Sequence, residues 1–94
     1  MLFANKIRQL REERNLLQRQ LAAALEIDTP MYSKIERGDR RAKRKQVVKL
    51  AELLQTNQED LLNLWLADQI IEVIEDENEL ASKALNTVQK YVRR

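Results

Sequence analysis

The sequence predicts an all-α fold, and three observations carry that prediction. The 94 residues include one Gly and one Pro, so turn signals are scarce. Leu, Ala, Glu, Gln, Lys and Arg, the strong helix formers, dominate the chain. Its apolar residues recur at intervals of three and four along most of its length. A chain this long suits one compact domain with little room for a second, and it can bury about 60% of its unfolded surface, enough for a real core.

The elements follow in order. Phe3, Ile7 and Leu10, with Arg11 and Arg14 continuing the face, predict a first helix over 4–15. Leu17, Leu21, Ala24 and Leu25 form a second stripe and a short helix over 18–25. Asp28-Thr29-Pro30 offers N-cap residues followed by a first-turn proline, so a third helix opens near Thr29 and closes at Gly38, the expected left-handed terminator. Residues 39–42 are a loop. Val47, Leu50, Ala51 and Leu54 mark a fourth helix over 43–54. Asn57, with Glu59 and Asp60 after it, caps a fifth. The stretch 61–74 holds ten apolar residues in fourteen, so this helix needs cover on more than one side. Acids at Glu75, Asp76, Glu77 and Glu79 suit the start of a helix, not its end, which predicts a break and a sixth helix from Asn78 to Val92. Its stripe is Leu80, Ala84, Leu85, Val88, Tyr91 and Val92. One unbroken helix from Gln58 to Val92 is the rival reading, because no Gly or Pro forces the break.

Composition narrows function. There is no Cys and no His, which removes disulfides, Cys-based zinc sites, the commonest general base and the commonest neutral metal ligand. We expect no metal, no cofactor and no enzymatic activity. The carboxylate pairs Glu12-Glu13 and Glu59-Asp60 read as solvated faces and caps, and the acidic run lacks the spacing and glycine of an EF-hand. No apolar run reaches a membrane span and no secretory signal is visible, so the expectation is a soluble cytoplasmic protein without a membrane partner. Four aromatic residues are too few for a single-strand stacking surface.

The net charge of +2 hides an asymmetry. Residues 1–57 carry 13 Lys/Arg and 7 Asp/Glu, whereas 58–94 carry 4 and 8. A basic N-terminal part points to nucleic acid; chance clustering on a solvated surface is the alternative.

Two short helices, 18–25 and 29–37, joined by a tight turn make a helix-turn-helix candidate. In the second of them Tyr32 and Ile35 face inward, while Thr29, Ser33 and Lys34 lie on the other side. The major groove admits such a helix, and Lys34 can donate to guanine while Thr29 and Ser33 can donate or accept. Arg40, Arg41, Lys43, Arg44 and Lys45 follow it as candidate phosphate contacts, which set register without reading sequence.

The pattern Gln18-x-x-Leu21-Ala22-x-x-Leu25-x-Ile27 followed by Ser33-x-Ile35-Glu36-Arg37-Gly38 resembles the Xre or lambda-repressor-like (Cro/C1-type) helix-turn-helix regulators of bacteria and their phages. The stretches LREERNLLQRQLA, YSKIERG and LAELLQTNQEDLL lie in family order from about Ile7 to Leu62. The resemblance implies a five-helix DNA-binding bundle over 1–64 whose third helix reads double-stranded DNA. It implies base contacts from Thr29, Pro30, Met31, Ser33 and Lys34, and phosphate contacts from Gln18, Arg19, Arg37, Arg40, Arg41, Lys43 and Arg44. It also implies an ion pair between Arg11 and Glu36. The chain departs from the pattern at four places. Leu17 stands where Ser or Thr usually caps the second helix, Glu26 where the turn usually has Gly, Pro30 where a polar reader is common, and Ala42 where the loop commonly has Pro. We expect Glu26 to strain the turn by about 1 kcal/mol and Ala42 to leave the loop more mobile.

The extension over 65–94 lies outside that motif. Its stripes predict a helical hairpin that dimerises through Trp65, Ile70, Ile74, Leu80, Leu85 and Val88, although folding back on its own domain is the alternative. The functional expectation is a transcriptional regulator, a repressor that binds a palindromic operator as a homodimer. An antitoxin or adaptor whose C-terminal helices bind a protein partner is the alternative.

Overall fold

The computed structural model describes residues 1–93, which form six helices and no strand: α1 (Leu2–Glu13), α2 (Gln18–Ala24), α3 (Thr29–Arg37), α4 (Arg44–Leu53), α5 (Gln58–Ile74) and α6 (Ala81–Val92). The first five surround a core in which Ile7, Tyr32, Ile35, Val47, Leu50, Leu54 and Leu61 are fully buried. Helix α3 packs against α1 and α2, and α5 packs against α1 and α4.

Local chemistry explains the helix starts. Asp28 Oδ1 accepts from the Met31 N–H at 2.7 Å, with Pro30 in the first turn, and Asn57 Oδ1 accepts from the Asp60 N–H at 2.9 Å. Leu17 and Lys43 have no side-chain acceptor to cap α2 and α4. The third helical residue substitutes: Gln20 Oε1 accepts from the Leu17 N–H at 2.7 Å, and Gln46 Oε1 from the Lys43 N–H at 2.8 Å. This is the reciprocal half of a capping box without its forward half.

The helix ends share one device. After α1, α2 and α4 the chain turns through Asn15 (φ 54°), Glu26 (φ 59°) and Gln55 (φ 51°), and after α3 through Gly38 (φ 83°). At each of the first three, the left-handed residue and its successor return N–H bonds to the last turn, as Glu26 does to the Ala23 carbonyl and Ile27 to that of Ala22. Only α3 has the glycine that makes this turn free of steric cost.

Several boundaries differ from the sequence expectation. Helix α1 runs Leu2–Glu13 instead of 4–15, because its start is capped from elsewhere and Asn15 is already left-handed. That cap is Asp68 of α5, which is buried and accepts from the Leu2 N–H (2.9 Å) and the Phe3 N–H (3.0 Å). A carboxylate on the first free N–H groups of a helix satisfies them and suits the helix dipole. Leu17 is 50% exposed and is not part of the α2 stripe, which buries Leu21 and Ala22. Helix α4 begins one residue later than expected and ends one earlier.

Ala42, expected to loosen its loop, is buried, and its carbonyl accepts the Trp65 indole N–H at 2.7 Å. Trp65, half-buried, therefore packs against the core of its own domain. Trp65 and Asp68 lie on the bundle-facing side of α5, so the expected boundary between 64 and 65 falls inside a continuous helix that still belongs to the core.

The chain does break before the last helix. The Glu77 N–H bonds to the Ile74 carbonyl at 2.9 Å, turns occupy 75–80, and α6 starts at Ala81 instead of Asn78. Helix α6 buries no residue at all.

Candidate nucleic-acid interface

Helix α3 is held by a polar cluster beneath its last turn. Arg11 of α1 donates from Nε to Glu36 Oε2 (2.9 Å) and from Nη2 to Oε1 (2.8 Å), and from Nη1 to the Leu16 carbonyl (2.9 Å). Gln18, the first residue of α2, adds a bond from Nε2 to Glu36 Oε1 at 3.2 Å. One carboxylate thus ties α1, α2 and α3 together, with 2% of the Glu36 side chain and 13% of the Arg11 side chain exposed. This is the ion pair that the family resemblance implied.

The charges respond to that geometry. Burial acts to raise the Glu36 carboxyl, but the hydrogen bonds from Arg11 and Gln18, with the Arg11 charge, outweigh it and hold the group below the usual glutamate range. The same Glu36 bond holds Arg11 above its ordinary value against desolvation. Burial, then the neighbouring carboxylate, push the Tyr32 hydroxyl well above the ordinary tyrosine range. The Tyr32 oxygen is fully enclosed and forms no hydrogen bond of good geometry. The cluster is fixed in charge at neutral pH and serves as a rigid mount.

On the mounted helix, Tyr32, Ile35 and Glu36 are buried, while Thr29, Pro30 and Lys34 are exposed and Met31 and Ser33 half-buried. The helix therefore presents the expected reading face outward. Its side chains are not all free: Arg37 donates from Nη1 to Ser33 Oγ (3.1 Å) and from Nε to Asp39 Oδ2 (3.1 Å). Ser33 can still donate its own hydrogen.

The cations divide into two groups. Arg19, Arg40, Lys43, Arg44 and Lys45 are exposed, and none has an ion pair among the described residues. Arg37 pairs with Asp39, and Arg41 pairs with Glu72 of α5. Gln18, expected at a phosphate, has its amide directed at Glu36 and half-buried. It lines, with Arg8, Arg11, Ser33 and Arg37, an open cleft of about 250 Å³ between the first three helices. Arg8 was not foreseen as a site residue. It lies three residues before Arg11, and that helical spacing was the signal available.

The second cleft, about 110 Å³, lies between the loop after α3, the start of α1 and α5, and is lined by Phe3, Gly38, Arg40, Trp65 and Glu72 among others. Among the described residues no group of His, Cys, Asp or Glu side chains is placed to hold a metal, and no helix is long and apolar enough to cross a membrane.

A helix-turn-helix family model matches residues 7–61, from the middle of α1 to the start of α5. No curated protein and no solved structure gives a significant match to the chain. The matched span contains α2, the Glu26 turn and α3 with their Arg11–Glu36 mount. The chain belongs to the Cro/C1-type, Xre-like helix-turn-helix family of DNA-binding regulators.

Proposed function

We propose that this regulator is a repressor that reads a palindromic operator as a homodimer, with α3 in the major groove of each half-site. The observation that carries the reading is the division of α3 into two faces. Tyr32, Ile35 and Glu36 fix one face to α1 and α2, leaving Thr29, Pro30 and Lys34 exposed on the other. Lys34 donates to guanine O6 or N7, Thr29 and Ser33 take either hydroxyl role, and Pro30 and Met31 contact thymine methyl groups. Arg19, Arg37, Arg40, Arg41, Lys43 and Arg44 hold the flanking phosphates, each neutralised phosphate adding about 0.9 to the salt slope. Occlusion of polymerase follows from occupying the operator.

Selection from a random duplex library at near-physiological salt tests the reading. The expected result is a two-fold symmetric motif with half-sites about one helical turn apart. Alanine at Lys34, Arg40, Arg41 and Arg44 together should abolish recovery. Unchanged duplex affinity in that variant overturns the site assignment.

A second reading is favoured by one feature, the exposed apolar residues of α5 and α6. An antitoxin or adaptor would use them for a different protein, with DNA contact secondary. It requires that the quadruple variant keep its cellular activity and that loss of α6 abolish it.

A further inference from the structure

Helix α6 lacks the buried residues that each of the other five helices has. It is 12 residues long and buries none of them. Isolated helices shorter than about 12–15 residues are marginal in water, and helices of this length derive their stability from packing an apolar face. Such a face exists: Ala81, Ala84, Leu85, Val88, Tyr91 and Val92 fall at spacings of three and four along one side. Leu85, Val88 and Val92 are 37%, 54% and 71% exposed.

The charge pattern around that face selects its occupant. The end before α6 carries Glu75, Asp76, Glu77 and Glu79, and the far end carries Lys90 and Arg93, all exposed. Two copies laid parallel would set acid on acid and base on base. Laid antiparallel, each acidic end meets the basic end of the other copy. We propose that α6 pairs antiparallel with α6 of a second copy of this chain. This rests on the homodimer reading and gives it a register. Leu85 packs on Val88 of the second copy and Ala81 on its Val92, which brings Glu79 beside its Arg93.

The paired stripe is about 16 Å long. A stable interface buries about 1,200 Å² or more in total, more than this stripe alone supplies. The outer face of α5, where Leu66, Ile70 and Val73 are 53%, 44% and 78% exposed, completes it.

The native chain has no Cys, so single cysteines report the pairing without background. Full chains carrying Ala81→Cys and Val92→Cys are mixed and oxidised. The expected product is the mixed 81–92 disulfide, with neither variant linking to itself. Self-linked 81–81 and 92–92 products mean parallel pairing and overturn the inference. So does a sedimenting dimer that forms no link at all, although the homodimer reading then survives. A monomer at micromolar concentration overturns both.

Charge reversal gives a second readout at exposed positions that leave folding intact. Glu79→Arg or Arg93→Glu alone should weaken dimerisation about tenfold, since two symmetric pairs become repulsive. The double variant should restore it. A double variant no tighter than the singles overturns the antiparallel register.

Discussion

Helices α3 and α6 carry the same kind of apolar stripe and meet opposite fates. Tyr32 and Ile35 of α3 are 0% and 2% exposed, whereas Val88 and Tyr91 of α6 are 54% and 67% exposed. A stripe states that a face needs cover but not what covers it. For α3 the cover is α1 and α2, within thirty residues along the chain, and a carboxylate bonded to both locks the arrangement. For α6 no residue is buried among the described residues.

The largest effect should come from the lock itself. Glu36→Ala leaves the Arg11 guanidinium largely buried and uncompensated, which costs about 3–5 kcal/mol of stability in urea denaturation. The lock also has a pH signature. The folded Glu36 carboxyl is held below its unfolded value, so its contribution is complete above about pH 4.3 and lost as pH falls through the lower, folded value. Glu36→Gln should remove that part of the acid transition. An unchanged acid limb would assign the loss to other carboxylates.

Next comes the contrast between the stripes. Ile35→Ala should cost about 2–5 kcal/mol. Val88→Ala should cost less than about 0.5 kcal/mol when measured at dilution, where chains are separate. Equal costs at dilution would mean that α6 packs on its own bundle and would dissolve the comparison.

Asp68 is the join between the two regions, since it caps α1 from a helix that continues outward to the α6 turn. Asp68→Ala should cost about 1–2 kcal/mol, the range of a lost helix cap. Exchange of the Leu2 and Phe3 amides with solvent should rise most. Protection unchanged at those amides would mean the cap is dispensable.

Legibility follows the same division. Asp28, Gly38 and Asn57 act within their own turns, and their chemistry at the expected helix ends was readable from residue type alone. Arg11–Glu36 became readable only through the family resemblance, because 25 positions separate the partners. Asp68 with α1, Trp65 with Ala42 and Arg41 with Glu72 were not readable. Each joins α5 to a distant segment, and a single carboxylate or indole in an apolar run carries no sign of its partner. Glu26 was readable as a strained turn. Its successor's bond to the Ala22 carbonyl shows why the strain is tolerated. Glu26→Gly should therefore stabilise the fold by about 1 kcal/mol, seen as a raised denaturation midpoint.

The smallest expected effect tests whether the two regions communicate. Arg41 is a candidate phosphate contact, yet it pairs with Glu72 on α5, both side chains about half exposed. A pair that exposed contributes about 1 kcal/mol at most, so a phosphate can compete for the guanidinium. Glu72→Gln removes the competitor. Duplex affinity should rise up to about fivefold, and Arg41→Ala in the same chain should cancel the gain. The salt dependence then identifies how the native protein behaves. If the slope steepens by about 0.9, Arg41 stays with Glu72 when the native protein is bound, and the variant has gained one phosphate contact. If affinity rises at constant slope, Arg41 leaves Glu72 for the phosphate on binding, and α5 feels DNA through the loss of that pair. Affinity and slope both unmoved would remove Arg41 from the phosphate contacts and leave its pair with Glu72 a tie between the loop and α5.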